Sequence, residues 1–417
     1  MRLAVFTSQF PSKVSTFFAR DIRALIDAGI EIDIFPIYPL DARLWKYVPD
    51  ILPENIFHRS NVHYVSLADT FYAMKSLPRK AVIIFLRKLA SVSFSAIKFG
   101  FIPFAKSIYV FAKALAWTKQ YGNKYDHILS YWGNYAATCA YVSHLLIDKP
   151  IPFSIFLHAG TDLYRDQVYL KQKLLYADNI ITCSEFNRKF IWDLYPDIFK
   201  IISHKIHVYH HGIDFKEFQF VADGRLQRKI LAVGRLEKQK GFDYLLQAMK
   251  KLQLAGIDAE LELIGDGEDA NSLISMANKL KIEKKVKFRG WLTFKEVQAA
   301  MKQATILVHP SSGIGDGVPN VIKEAMAFGT PVIASNVAGI PELLNGGECG
   351  ILVPDRNAGA LSEAIKTLLT DNVLRRRFAY AGREYVEKTF DLWHNGNNLA
   401  DVLRCTKRIE KCVKDII

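Results

Sequence analysis

Cysteine is scarce in this sequence, with five residues in 417 (Cys139, Cys183, Cys349, Cys405 and Cys412), and no two are spaced as a CxxC pair. A sparse, odd count excludes a small secreted domain built on disulfides, favours a reducing compartment and leaves no zinc-ligand spacing. Glycine and proline are also few, 24 and 15 residues, which excludes collagen-like and low-complexity chains. No apolar run approaches the roughly 18 residues of a spanning helix. The nearest, residues 100–116, is broken by Lys106 and Lys113. The opening MRLAVFTSQF lacks the long apolar stretch of a secretory leader and reads as a first strand. With 50% hydrophobic and 23% charged residues, the composition is that of a folded globular chain, long enough for two or three domains.

Acidic residues are absent from positions 70–125. Ten cations stand there: Lys75, Arg79, Lys80, Arg87, Lys88, Lys98, Lys106, Lys113, Lys119 and Lys124. They are interleaved with Phe85, Phe94, Phe99, Phe101, Phe104, Tyr109, Phe111 and Trp117. The formal net charge of +13 is uneven: residues 1–210 carry 25 basic and 16 acidic side chains (+9), residues 211–417 carry 30 and 26 (+4). A long helical basic and aromatic segment without a groove-reading motif points to an anionic membrane surface rather than nucleic acid. The plainer alternative is a solvated helix pair whose aromatics are core.

Short apolar runs alternate with amphipathic, helix-length segments, which implies βαβ units and parallel sheets. In the first half the expected strands are 3–6, 32–37, 127–130, 153–157, 180–183 and 205–209, with a helix from Ser15 to Ala28 ended by Gly29. Residues 211–228 read as a connector. The alternation then restarts, with strands at 229–233, 260–265, 286–289, 305–309 and 331–334 and helices at 241–253, 270–279 and 319–328. The last helical segments are read at 361–389 and 392–415. The expected architecture is α/β: a doubly wound domain over 1–210, a second over 229–390, the two facing a cleft, and a terminal helix in 391–417 packing back on the first.

Two stretches carry chemistry. In SSGIGDGVPNVIKEAMAFGTPVIASNVAGIPE (311–342), Asp316 and Glu324 lie eight residues apart, with Asp316 between Gly315 and Gly317 in a loop that runs through Pro319 into a helix. A glycine loop entering a helix offers free N–H groups and a positive dipole end to an anion. A carboxylate on either side would grip hydroxyls, the layout of a nucleotide sugar. In VGRLEKQKGFD (233–243), Arg235 and Lys240 occupy a strand-to-helix turn ahead of Gly241, a pair suited to a diphosphate. Either feature alone also fits exposed loop charges.

Together, GRLEKQKGFDYLLQA, LIGDGED and DGVPNVIKEAMAFGTPVIAS…GIPELL resemble the retaining glycosyltransferases of family GT4, which have the GT-B fold. The segments SQFPSKVSTFFARDIRALIDAGIEIDIFP, PFSIFLHAGTDLY, ADNIITCSEFNRKFI and KIHVYHHGID resemble, more loosely, the subgroup making colanic acid and other bacterial exopolysaccharides. The resemblance implies that Arg235 and Lys240 bind the donor diphosphate and stabilise the leaving group. Glu324 matches the second glutamate of the family's E-x7-E motif, on the ribose. Asp316 stands in place of the first, on the donor sugar, one methylene shorter. Gly317, Val318, Pro319 and Asn320 complete that donor loop, Gly265 and Gly267 a turn near the nucleotide, and Arg289 and Gly290 the contact with the base.

His158 matches the histidine beside the reacting sugar, although a histidine ending an apolar strand is also the mark of a satisfied core residue. Asp162 is a candidate for acceptor contact. The first loop, with Ser8, Phe10, Ser15 and Thr16, departs from the family's glycine pair. Either its hydroxyls replace the glycine backbone contacts or the loop faces only the acceptor; Trp132, Gly133 and Asn134 are expected on the acceptor side, a packed Trp132 being the plainer alternative.

The resemblance implies a UDP- or GDP-sugar donor and a saccharide acceptor, lipid-linked. It implies no cofactor and no metal, no nucleic acid, and a peripheral position at the cytoplasmic face of the cell membrane. It also implies retention by front-face attack, since no carboxylate pair is placed as in a glycosidase. The rival readings are a sugar-nucleotide epimerase of the same fold and a catalytically degenerate saccharide-binding scaffold.

Overall fold

The computed structural model describes residues 1–407 apart from 13–15, 40, 49–51, 67–68, 71–72, 74–78, 148 and 166–167. Ser15, Lys75, Cys412 and the end of the 392–415 segment lie outside the described residues. The chain forms two compact units, one comprising 1–212 with 392–417, the other 213–391.

The apolar, β-branched runs of the first unit form six parallel strands: β1 (Arg2–Thr7), β2 (Glu31–Pro36), β3 (His127–Ser130), β4 (Phe153–Leu157), β5 (Asn179–Thr182) and β6 (Ile206–Val208), in the order β2-β1-β3-β4-β5-β6. Every residue of β3, β4 and β5 is buried, as expected of a parallel sheet covered by helices on both faces. Val5 pairs with Ile34 on one side of β1 and with Leu129 on the other.

The helix Leu392–Cys405 is part of this unit. Leu403 gives its carbonyl to Nδ1 of His127 at 3.1 Å, and the ring's Nε2 lies 2.8 Å from Ser154 Oγ. Gly396 lies against Ala24 of the helix Thr16–Asp27, and a Cβ there would stand 2.4 Å from the Ala24 Cβ. The missing side chain is what lets the two helices approach. The basic segment forms the helices Arg79–Ile97 and Phe101–Tyr121, joined through Gly100.

The second unit carries β7 (Lys229–Val233), β8 (Glu260–Ile264), β9 (Val286–Phe288), β10 (Ile306–His309), β11 (Val332–Ser335) and β12 (Gly350–Val353), all parallel, in the order β12-β11-β10-β7-β8-β9. The four-residue β12, Gly350–Val353, is not among the strands expected from the sequence. Of residues 211–228, expected as a connector, 213–228 are instead packed into this unit. Phe218 is buried beside Phe328, with ring centroids 5.0 Å apart. Arg225 donates to the carbonyls of Met301 (2.8 Å), Lys302 (2.9 Å) and Ala304 (3.2 Å). Those are the orphan carbonyls ending the helix Phe294–Gln303, where a cation is favoured. The expected helical stretch 361–389 is two helices, Ala358–Thr370 and Asn372–Thr389. Asp371 breaks it by accepting the Leu374 N–H at 2.8 Å as an N-cap.

Candidate functional site

In the second unit the strand order reverses between β7 and β10. Chains leaving two such neighbouring strands turn to opposite faces of the sheet, which opens a crevice at their carboxyl ends. The two stretches singled out in the sequence follow these strands. Residues 234–241 leave β7 and lead to the helix Phe242–Leu254, with Gly241 as its N-cap. Residues 310–319 leave β10 and lead to the helix Asn320–Ala327, with Pro319 as its N-cap.

The loops are tied together. The Ser312 N–H donates to the Gln239 carbonyl at 2.8 Å, and Lys240 Nζ donates to Asp316 Oδ2 at 2.5 Å. Gly265, directly after β8, has φ +142°, and a Cβ there would stand 1.8 Å from the Gly234 carbonyl oxygen. No side chain fits between these loops at that point. Gly267 lies in the same turn, where its N–H donates to Asp266 Oδ1 at 2.8 Å.

Asp316 is the hub. Besides Lys240, its Oδ2 lies 2.7 Å from His309 Nε2 and accepts from Ser311 Oγ at 2.7 Å. Burial works to raise its pKa. The Lys240 charge and the hydrogen bonds from His309 and Lys240 outweigh burial and hold the carboxyl well below the usual carboxylate range. Burial lowers the His309 pKa, against the pull of Asp316. Asp316 is therefore an anion on a fixed platform.

Arg235 donates from Nη1 to Glu237 Oε1 at 2.5 Å. Glu324 sits buried in the helix Asn320–Ala327. Arg289 Nη1 stands 3.2 Å from Glu262 Oε1, and the Gly290 carbonyl accepts the Gly265 N–H at 2.9 Å. Gly317 gives its carbonyl to the Gly339 N–H at 3.1 Å, and Val318 packs against the adjacent core.

The first unit has its own reversal, between β1 and β3. Ser8 follows β1 and donates from Oγ to Asn134 Oδ1 at 3.1 Å. Trp132, after β3, donates from Nε1 to Thr7 Oγ1 at 3.0 Å, and its ring centroid is 4.6 Å from that of His158. His158, after β4, is stacked between aromatic neighbours, with Phe156 at 4.3 Å and His211 at 5.0 Å. Its side chain is only 8% exposed, yet among the described residues neither ring nitrogen has a hydrogen-bond partner. Nδ1 is 3.4 Å from Asp162 Oδ2, an oxygen that already accepts the His158 N–H at 2.7 Å.

Two expected acceptor contacts are corrected. Phe10 is 1% exposed and packs against Phe18 and Trp45, with centroids at 5.2 and 5.8 Å. It is core, closed in by the rings of Phe18, Trp45 and Phe57. Asp162 is 2% exposed, and its oxygens accept the backbone N–H groups of His158 (2.7 Å) and Asn134 (3.1 Å). It positions the loops instead of facing a ligand.

His309, Ser311, His211, Lys173 and Phe17, whose ring centroid lies 5.5 Å from that of His158, were not singled out in the sequence. His309 shares the signal of His158, a histidine ending an apolar strand. Lys173 is fully buried and donates to the carbonyls of Gly133 (2.7 Å) and Asn134 (3.1 Å) and to Thr138 Oγ1 (3.3 Å). Burial lowers its pKa to about 7, against the pull of Asp162.

Residues 215–385 match the family described as glycosyl transferases group 1. The chain is similar to the amylovoran biosynthesis glycosyltransferase AmsK of Erwinia amylovora, 25% identical over 97% of this chain and 99% of that one. The colanic acid biosynthesis protein WcaL of Escherichia coli is 30% identical over 48% and 51%. A glycogen synthase of Mycobacterium tuberculosis is 30% identical over 56% of each chain, so the chain spans about half the length of that relative. Among solved structures, sucrose-phosphate synthase from Thermosynechococcus elongatus superposes with TM-score 0.70 at 21% identity, covering 97% of this chain and 98% of that one. Anabaena HepE in complex with UDP-glucose gives 0.68 at 15%, covering 97% and 99%. The fold is GT-B.

Proposed function

We propose that the chain, whose residues 215–385 match the group 1 glycosyltransferases, is a GT4-type enzyme that moves a sugar from a nucleoside-diphosphate donor to a saccharide acceptor in bacterial surface or exopolysaccharide biosynthesis, as the names of its relatives AmsK and WcaL suggest. The donor is a UDP- or GDP-sugar held by the second unit. The solved complex of HepE with UDP-glucose makes UDP the first base to test.

The observation that carries the reading is the Lys240–Asp316 ion pair at the strand-order reversal. It sets a cation for a diphosphate and a carboxylate for sugar hydroxyls side by side, on loops closed by Gly265. Arg235 and Lys240 meet the charge of the departing nucleoside diphosphate, so the reaction needs no metal. Glu324 takes the ribose hydroxyls.

His158 serves the reacting sugar. A buried imidazole whose ring nitrogens form no hydrogen bond among the described residues is costly, and a sugar hydroxyl is the kind of group that would satisfy it. The anomeric configuration is retained by front-face attack, with the donor phosphate accepting the acceptor hydroxyl's proton as the new glycosidic bond forms and the sugar–phosphate bond breaks. The acceptor is lipid-linked and the enzyme works at the cytoplasmic, anionic face of the cell membrane.

Isothermal titration of UDP, GDP and ADP tests the donor site, with Glu324→Ala as control. Binding of one nucleotide, lost in the variant, is expected. No binding by any of the three would return weight to a degenerate scaffold.

A further inference from the structure

The helix Arg79–Ile97 has two apolar faces. One, with Phe85, Val92 and Ala96, is buried in the core of the first unit. The other, Ile83, Leu86, Ala90, Phe94 and Ile97, recurs at intervals of three and four residues and is exposed along its whole length. A helix on the surface of a water-soluble domain normally shows one apolar stripe.

The second stripe continues across the turn at Phe99 into the next helix, where Phe101 is 80% exposed and Ile102 66%. Ile108 lies two turns on and is also exposed. Arg87, Lys98 and Lys106 are exposed among these residues, and Lys98 Nζ stands 5.7 Å from the Phe94 ring centroid. No Asp or Glu occurs from residue 70 to 125.

We propose that this helical hairpin, with its tip at Phe99–Ile102, is a membrane-inserting wedge that seats the first unit on an anionic lipid bilayer. The charge selects the occupant. A second copy packed face to face would bring the same cations against each other, because a two-fold interface is self-complementary. A nucleic acid would leave the aliphatic stripe unpartnered. A bilayer with anionic headgroups satisfies both features: cations sit among the phosphates while the apolar tip enters the headgroup–acyl boundary. Among the described residues no helix is long and apolar enough to cross a membrane, so the wedge lies in one leaflet. This deepens the membrane element of the proposed function. Its test uses vesicles without donor or acceptor, so failure here leaves the transferase reading standing.

The full-length protein is mixed with vesicles of phosphatidylcholine alone, or of phosphatidylcholine with phosphatidylglycerol, and bound protein is measured by co-sedimentation. Binding is expected only with the anionic lipid. The triple variant Phe94→Ser, Phe101→Ser, Ile102→Ser should bind about tenfold or more weakly, since each residue withdraws a large apolar surface from water on insertion. Lys98→Glu with Lys106→Glu should also weaken binding. Both variants should keep the melting temperature and UDP affinity of the parent. Emission of Phe101→Trp should shift to the blue on adding anionic vesicles. Unchanged binding by the triple variant, no blue shift, or a dimer that dissociates in the triple variant would each overturn the proposal.

Discussion

Lys240 Nζ and Asp316 Oδ2 are 2.5 Å apart, so the cation expected on the diphosphate and the carboxylate expected on the sugar form a single ion pair. Their effects can be separated by substitution. Lys240→Met removes the phosphate cation, and UDP affinity should fall by about tenfold to a hundredfold, the worth of a charge-assisted hydrogen bond. Asp316→Asn removes no phosphate ligand. UDP affinity should stay within about threefold, while transfer from the nucleotide sugar falls about tenfold or more. Titration calorimetry with UDP beside a transfer assay reads both. Equal losses of UDP affinity in the two variants would contradict the division of roles.

Gly265→Ala should be severely destabilising. The new methyl would stand 1.8 Å from the Gly234 oxygen at a φ of +142°, so the loops must part. A loss of about 2–4 kcal/mol is expected, the combined scale of overpacking and backbone strain. Chemical denaturation measures it. Nucleotide binding should fall with it, because the same loops hold Arg235 and Lys240.

His127 gives the first unit an acid limit. Burial lowers its pKa to about 4, against the pull of the Leu403 carbonyl, while an unfolded histidine titrates near about 6.5. Between those values the unfolded chain binds more protons, so stability should fall as pH drops from about 6.5 toward 4. His127→Gln should flatten that part of the stability–pH curve. It should also loosen the helix Leu392–Cys405, seen as faster amide exchange there.

Lys173 works in a higher window. Its folded pKa of about 7 lies below the roughly 10.4 of a free lysine, so stability should rise with pH between these values as the unfolded chain sheds its extra proton. Lys173→Met should abolish that rise. It should also lower overall stability by about 2–3 kcal/mol, since the carbonyls of Gly133 and Asn134 lose their donor. If the pH profile of stability is the same in the variant, Lys173 does not titrate in this range.

Most strands of both sheets, and the loops after β7 and β10, were legible because their signals are local. Apolar runs mark strands, and Asp316 and Lys240 stand in polar loops at strand ends. What joined them was not legible. His309 and Ser311 reach Asp316 only through the path the loop takes after β10, and the sequence between them does not encode that path in any single motif. Phe10 was misread for the opposite reason: an aromatic in a loop looks the same whether it lines a pocket or closes a core. Asp162 likewise looks like a ligand contact until its backbone partners are seen.

The discontinuity of the first unit bears on how the protein is made. Its sheet is complete by Val208, but the helix that covers it comes after residue 391. The second unit is one uninterrupted stretch, 213–391, with its ends joined where the Ile213 N–H meets the Phe390 carbonyl at 2.9 Å. On the ribosome, therefore, the segment synthesised first is the last to be finished. The second unit can close on itself while the earlier sheet waits for the helix Leu392–Cys405. A stop codon near residue 391 would spare the second unit and leave the first without its cover, with the surface around Ala24 and His127 open to water, chaperones and proteases.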